Sequence, residues 1–182
     1  MSSVIGYKEW DVVCEALGSG RQALLLRKGG IHEGRAGFSF KHEDFVLFPT
    51  RFHAQGEQVR VPYELSGGEW EPGEEVPIRY RCEAVWARTL TDWDVVKRLE
   101  GFHVWSEDLV RERFSWGEEG SIHCALVKVS RLVEPWALPY EKKFGGCRTW
   151  VELPGGVGAS DPVQEDEEFA ELARRVEEIV GV

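Results

Sequence analysis

The stretch Val76-Pro77-Ile78-Arg79-Tyr80-Arg81-Cys82-Glu83-Ala84-Val85-Trp86 alternates between two chemistries. Val76, Ile78, Tyr80, Cys82, Ala84 and Trp86 share one parity and Arg79, Arg81 and Glu83 the other. That is the period of a strand with one buried face and one that meets water or a ligand. Outward from it, Ala23 to Arg27, Phe45 to Phe52, Ile122 to Leu132 and Cys147 to Leu153 also read as strands. Pro49 puts the second of these at an edge or a bulge, because proline cannot donate to a ladder. Helical spacing is confined to Tyr7, Trp10, Cys14 and Leu17, which predict a first helix ending at Gly18-Ser19-Gly20, and to two short segments opened by Thr91 and Ser106. Strands outnumber helices and do not alternate regularly with them, so the predicted class is α+β with a mixed or mainly antiparallel sheet and peripheral helices.

Residues 1–153 read as a single α+β domain. Residues 154–160, Pro154-Gly155-Gly156-Val157-Gly158-Ala159-Ser160, have the composition of a flexible linker. Residues 161–182 read as an acidic amphipathic C-terminal helix, with Asp161-Pro162 as its start and Phe169, Leu172, Val176 and Ile179 as its apolar stripe. Docking of that stripe on the body is the simpler expectation, and capture of a protein partner is the alternative.

Charge is unevenly distributed. The 182 residues carry 22 Lys plus Arg and 32 Asp plus Glu, a formal charge of −10. Asp161 to Val182 holds eight acids against two arginines, a net of −6, which leaves −4 for the rest. Between Arg21 and Arg60, seven basic residues face four acidic ones, a net of +3. An acidic chain does not coat nucleic acid indiscriminately, but a local basic stretch can still recognise an anion. No apolar run exceeds four residues, against roughly 20 needed to span a bilayer, and no signal-peptide pattern opens the chain, so a cytoplasmic, non-membrane protein is expected. The scattered Cys14, Cys82, Cys124 and Cys147 are expected to be free thiols, mostly packed as small hydrophobes.

Within the basic stretch, Arg27-Lys28-Gly29-Gly30 pairs two cations with two glycines whose backbone N–H groups can converge on an anion; a tight turn with solvated charges is the competing reading. If the strand continues past Pro49, Arg51, His53 and Gln55 fall on one side and Thr50 and Phe52 on the other, a set able to hold a phosphate or a base edge. Arg148 joins as a further cation, unless it merely pairs with one of the many carboxylates. His32-Glu33, His42-Glu43-Asp44 and His53 do not have metal-ligand spacing: an extended path separates His42 from His53 by roughly 35 Å. No metal or cofactor is therefore expected. Of the eight tryptophans, Trp10, Trp86 and Trp93 are expected in the core, while Trp70, Trp116 and Trp136 lie in loops, to cap small cores or to stack on bases.

Five blocks resemble the bacterial family catalogued as domain of unknown function 1802: Lys8-Glu9-Trp10, Leu24 to Ile31, Phe45 to Thr50 with His53, Trp105 to Phe114, and Gly146-Cys147-Arg148-Thr149-Trp150. They span about residues 5 to 153. The family pattern has His and Gln adjacent after Pro-Thr, whereas here Ala54 separates His53 from Gln55. The order of elements also resembles the PUA-like barrels, in particular their ASC-1-homology branch, and that likeness implies a pseudo-barrel and an RNA- or base-related role.

Three readings of function follow. The first is a binding module for a nucleotide or RNA, using Arg27, Lys28, Gly29, Gly30, Thr50, Arg51, His53, Gln55 and Arg148. The second is a hydrolase acting on nucleotide or nucleic acid, with His53 as general base, Lys28 or Arg51 stabilising developing charge, and Glu33 or Glu83 assisting. A protein-interaction subunit using the C-terminal helix is the third.

Overall fold

The computed structural model describes residues 3–28, 39–65, 67–116 and 120–181. The chain runs β1 (Ser3–Trp10), α1 (Asp11–Gly18), β2 (Leu24–Arg27), β3 (Asp44–Thr50), β4 (Glu75–Leu90), α2 (Trp93–Arg98), α3 (Glu107–Phe114), β5 (Ile122–Pro139), β6 (Trp150–Pro154), β7 (Ser160–Pro162) and α4 (Asp166–Val180). Among the described residues the strands form one sheet in the order β2-β5-β4-β3-β1-β6, with β7 added beside β5. Only β1 and β3 run parallel; the other pairings are antiparallel. The class is therefore a mixed α+β fold with a mostly antiparallel sheet and a C-terminal helix. No closed barrel is seen among these strands.

The alternation in Val76 to Trp86 marks the centre of the architecture. β4 buries Val76, Ile78, Tyr80 and Cys82 and leaves Arg81 and Glu83 exposed. It pairs with β5 along almost its whole length, with register shifts between Ile78 and Tyr80 and between Ala84 and Trp86. At the first shift the partner changes from Trp136 to Arg131, so β5 carries the extra residues and the ribbon bends. Val76 and Ile78 thus reach a smaller core with Phe48, Leu138 and Leu153, while Tyr80 and Cys82 enter the main core beneath the helices.

Three expected elements change. Tyr7 and Trp10 belong to strand β1, not to the first helix: Gly6 to Trp10 pairs in parallel with Val46 to Thr50. Lys8 and Glu9 are also buried, so the strand has no wet face, and the three-residue spacing from Tyr7 to Trp10 imitates a helix. The strand expected to close at Leu132 continues to Pro139. Asp161-Pro162 opens no helix but pairs with Arg131 and Ser130, and α4 starts at Asp166. Its first turn carries Asp166, Glu167 and Glu168, favourable charges at a helix N-terminus, and Gly181 ends it in the left-handed region at φ 76°.

Residues 154–160 follow the body closely, since Val133 N–H donates to the Ala159 carbonyl at 2.9 Å. Phe169 and Val176 of α4 are buried in the main core, and Arg98 donates to the Ile179 carbonyl at 3.0 Å. The apolar stripe is therefore occupied by the body itself. No helix among the described residues is long and apolar enough to cross a membrane. Cys14, Cys82 and Cys124 are buried free thiols, all pushed up by desolvation, and Cys147 is exposed.

A buried histidine gives the core a pH dependence. His103, 5% exposed, packs against Trp105, and burial, with Arg60 and Arg113 nearby, pushes its imidazole down to about 3. Below its unfolded value near 6.5 the unfolded chain binds a proton that the folded chain refuses, so stability drops as pH falls from 6.5 towards 3. The expected slope from this group is about 1.4 kcal/mol per pH unit within that window. Denaturant titrations of wild type and His103→Gln at pH 7.5 and 5 test it; equal losses in both proteins would reject the assignment.

Candidate functional site

The register of two short parallel strands builds the floor of a cleft. Lys8 pairs with Phe48 and Trp10 with Thr50, and side-chain alternation sends all four to one side. β4 covers β3 only from Asp44 to Val46, so the last residues of β3 form a local edge that tolerates Pro49. The free Pro49 carbonyl accepts a hydrogen bond from Trp70 Nε1 at 2.7 Å, which fixes that loop tryptophan as a wall. The Arg51 guanidinium lies 3.6 Å from the centre of the Trp70 ring. Opposite, the turn before β6 closes the cleft: Lys8 N–H donates to the Thr149 carbonyl at 2.8 Å and Lys8 Nζ to the Gly146 carbonyl at 2.6 Å. Gly146 adopts φ 76°, a conformation that favours glycine.

The resulting cleft holds about 470 Å³. Four cationic side chains line it, Lys8, Arg27, Arg51 and Arg148, against one carboxylate, Glu69. Its walls are aromatic, with Trp10 edge-on to Phe52 at 4.9 Å and Trp70 facing Arg51. Burial, reinforced by Arg27 and Arg148, lowers the Lys8 ammonium below its ordinary value. Arg27 is held by the Lys8 carbonyl at 3.4 Å and lies 5.8 Å from the Tyr7 ring.

Behind the floor sits Glu9, 1% exposed. Its Oε1 accepts from Trp10 N–H at 2.8 Å, and its Oε2 has no hydrogen-bond partner. Burial raises this carboxyl, and Arg27 and Arg113 pull it back. The Arg113 guanidinium lies 4.9 Å from the Trp10 ring and 5.1 Å from the Trp105 ring and donates to the Leu26 carbonyl at 3.2 Å. The aromatic wall is therefore braced from the core side by a cation.

Of the residues singled out in the sequence, Arg27, Thr50, Arg51 and Arg148 meet in this cleft. Thr50 Oγ1 donates to the Glu9 carbonyl at 3.0 Å. Lys28 does not line the cleft; its Nζ lies 3.7 Å from the centre of the Trp116 ring. His53 is exposed and Gln55 buried, and neither lines the cleft, because β3 ends at Thr50 and the chain turns, so the alternation expected for Arg51, His53 and Gln55 stops. Gln55 instead donates from Nε2 to the Thr50 carbonyl at 2.6 Å and holds the end of the strand. Glu83 faces Lys128 across β4 and β5. Gly29, Gly30, His32 and Glu33 lie outside the described residues. Sequence reasoning missed Lys8, Trp10 and Tyr140. Two of these were legible in Lys8-Glu9-Trp10, a block whose strand character was masked by the burial of Lys8 and Glu9. No three His, Cys, Asp or Glu side chains among the described residues cluster as metal ligands.

The sequence profile of the family described as domain of unknown function DUF1802 matches residues 6–175. The chain belongs to the DUF1802 family. No curated protein matches it. Among solved structures, this DUF1802 chain is similar to the crystal structure of a serine-to-alanine mutant of ZmASCH from Zymomonas mobilis. That match has 14% identity and a TM-score of 0.51, and covers 94% of each chain. A tyrosine-to-phenylalanine mutant of the same protein matches at 12% identity and a TM-score of 0.50, over 93% of this chain and 96% of that one. At such identities the likeness is one of fold alone.

Proposed function

We propose that this DUF1802 protein binds a phosphate-bearing ligand of the nucleotide class, free or within RNA, in the cleft between β1, β3 and the turn before β6. The observation that carries this reading is the convergence of Lys8, Arg27, Arg51 and Arg148 on one aromatic-walled cleft in a chain whose net charge is −10. Guanidinium forks match phosphate oxygens bidentately, so Arg27 and Arg148 hold the phosphate and Lys8 supplies a point charge at the floor. Arg51, flat on Trp70, presents a planar face on which a base stacks. The likeness in fold to the ZmASCH structures supports this reading. A hydrolase built on His53 finds less support, since that side chain stands outside the cleft.

The test is binding of a panel of 5′-nucleotides and short RNAs to wild type and to Arg27→Ala/Arg51→Ala. Charge-assisted hydrogen bonds are worth roughly 1.5–3 kcal/mol each, so the double variant is expected to lose at least tenfold in affinity for the ligand that binds. With four cations engaged, log K should fall with log salt at a slope no steeper than about −3 for a single strand. Unchanged affinity in a variant whose thermal melt is normal overturns the proposal.

A further inference from the structure

A second cleft, of about 560 Å³, lies on the other side of the turn that closes the first. The two share Phe144 and Arg148. The second adds Lys143, His42 and Trp150, with Glu152 as its carboxylate; Lys143 Nζ also pairs with Glu141 at 2.8 Å. The His42 and Trp150 rings meet edge to face with centroids 4.9 Å apart, and Trp150 Nε1 is anchored on the Ser39 carbonyl at 3.4 Å. Each cleft thus has an aromatic surface and a cation, and the Arg148 guanidinium lines both. Arg148 donates to the Lys143 carbonyl at 2.5 Å through one nitrogen, which leaves most of its five N–H donors for a ligand.

Resting on the reading above, we infer that the two clefts form one channel for a single strand of at least two nucleotides, one nucleoside in each cleft and the joining phosphodiester on Arg148. The physical logic is that of other single-strand sites, in which aromatic platforms alternate with cations along the backbone path. A mononucleotide fills only the first cleft and leaves Lys143 and His42 unused. No bond is made or broken in this step; the prediction concerns ligand length.

Isothermal titration of the full chain with a 5′-mononucleotide and a 5′-phosphorylated dinucleotide, each in ribo and deoxyribo form, tests it. The dinucleotide is expected to bind at least tenfold more tightly. Lys143→Ala/His42→Ala should abolish that advantage and leave the mononucleotide Kd within twofold of wild type. The ribo and deoxyribo arms tell RNA from DNA as the source of the strand. Equal Kd values for the two lengths, or a variant that weakens both alike, overturn the channel while the single-cleft reading stands. Failure of every probe to bind wild type overturns both.

Discussion

Arg113→Met should destabilise the protein by about 2 kcal/mol at neutral pH, because it removes the donor to the Leu26 carbonyl and a cation whose field favours the buried Glu9 carboxylate. The variant keeps a long apolar stem between Trp10 and Trp105 but removes the cation that faces Glu9, a carboxylate 1% exposed with one oxygen unpartnered. Arg27 and the Trp10 N–H are then left to compensate the buried charge. The pH dependence has a definite sign. Glu9 already holds its proton more tightly in the folded than in the unfolded chain, and loss of Arg113 strengthens that tendency. A group raised on folding stabilises below its unfolded value, near 4.5, and loses that contribution as pH rises through its folded value. The gap between wild type and Arg113→Met should therefore be widest at neutral pH and narrow towards pH 4.5. Glu9→Gln/Arg113→Met should recover more than half of the loss, because a neutral amide replaces the orphaned charge. Urea unfolding at pH 7.5 and 5 measures all of this; a neutral-pH loss under 1 kcal/mol would show that Arg113 does not support the core.

Gly18→Ala is expected to cost about 3 kcal/mol, although alanine is the better helix former and Gly18 is the last residue of α1 at an ordinary negative φ. A Cβ at this position would lie 2.0 Å from Tyr80 Cζ and 2.1 Å from its Cε1, far closer than the 3.0 Å that real Cβ atoms respect. Tyr80 cannot step aside. It is 2% exposed, its hydroxyl donates to Glu15 Oε2 at 3.1 Å, and Arg131, which covers its ring at 5.2 Å, donates to the Gly18 carbonyl at 2.7 Å. Tyr80→Leu opens the space the methyl needs, so Gly18→Ala/Tyr80→Leu should be no less stable than Tyr80→Leu alone. This non-additivity identifies the clash as the cause. Thermal or denaturant melts of the four proteins decide it, and additive losses would refute the steric account.

Legibility in the sequence followed exposure. β4 was readable because Arg81 and Glu83 mark its wet face, whereas β1 was misread because burial of Lys8 and Glu9 erases the alternation. The start of α4 was displaced because Asp-Pro suits a helix N-terminus and an edge strand equally, and only the pairing with β5 chooses between them. At the site, Arg27, Thr50, Arg51 and Arg148 were legible as polar residues at strand ends or turns. His53 and Gln55 were not placed correctly, since where β3 stops depends on the extent of β4 beside it and on the turn that follows. Trp70 could be named as a loop tryptophan, but its bond to the Pro49 carbonyl is a tertiary event with no local signature.

The pairing of β1 with β6 joins residues 3–7 to 150–154. Lys8 and Thr50 therefore acquire their cleft only after the turn bearing Arg148 has returned from the far end of the chain. Closure of the cleft thus depends on contacts between segments far apart in sequence, the kind that are slow to form. During synthesis, an emerging segment that already carries Lys8, Arg27, Thr50 and Arg51 has the charges without the enclosure. On the proposed reading, ligand capture is reserved for the completed molecule, and a bound ligand would in turn stabilise the closure between the two distant segments by mass action.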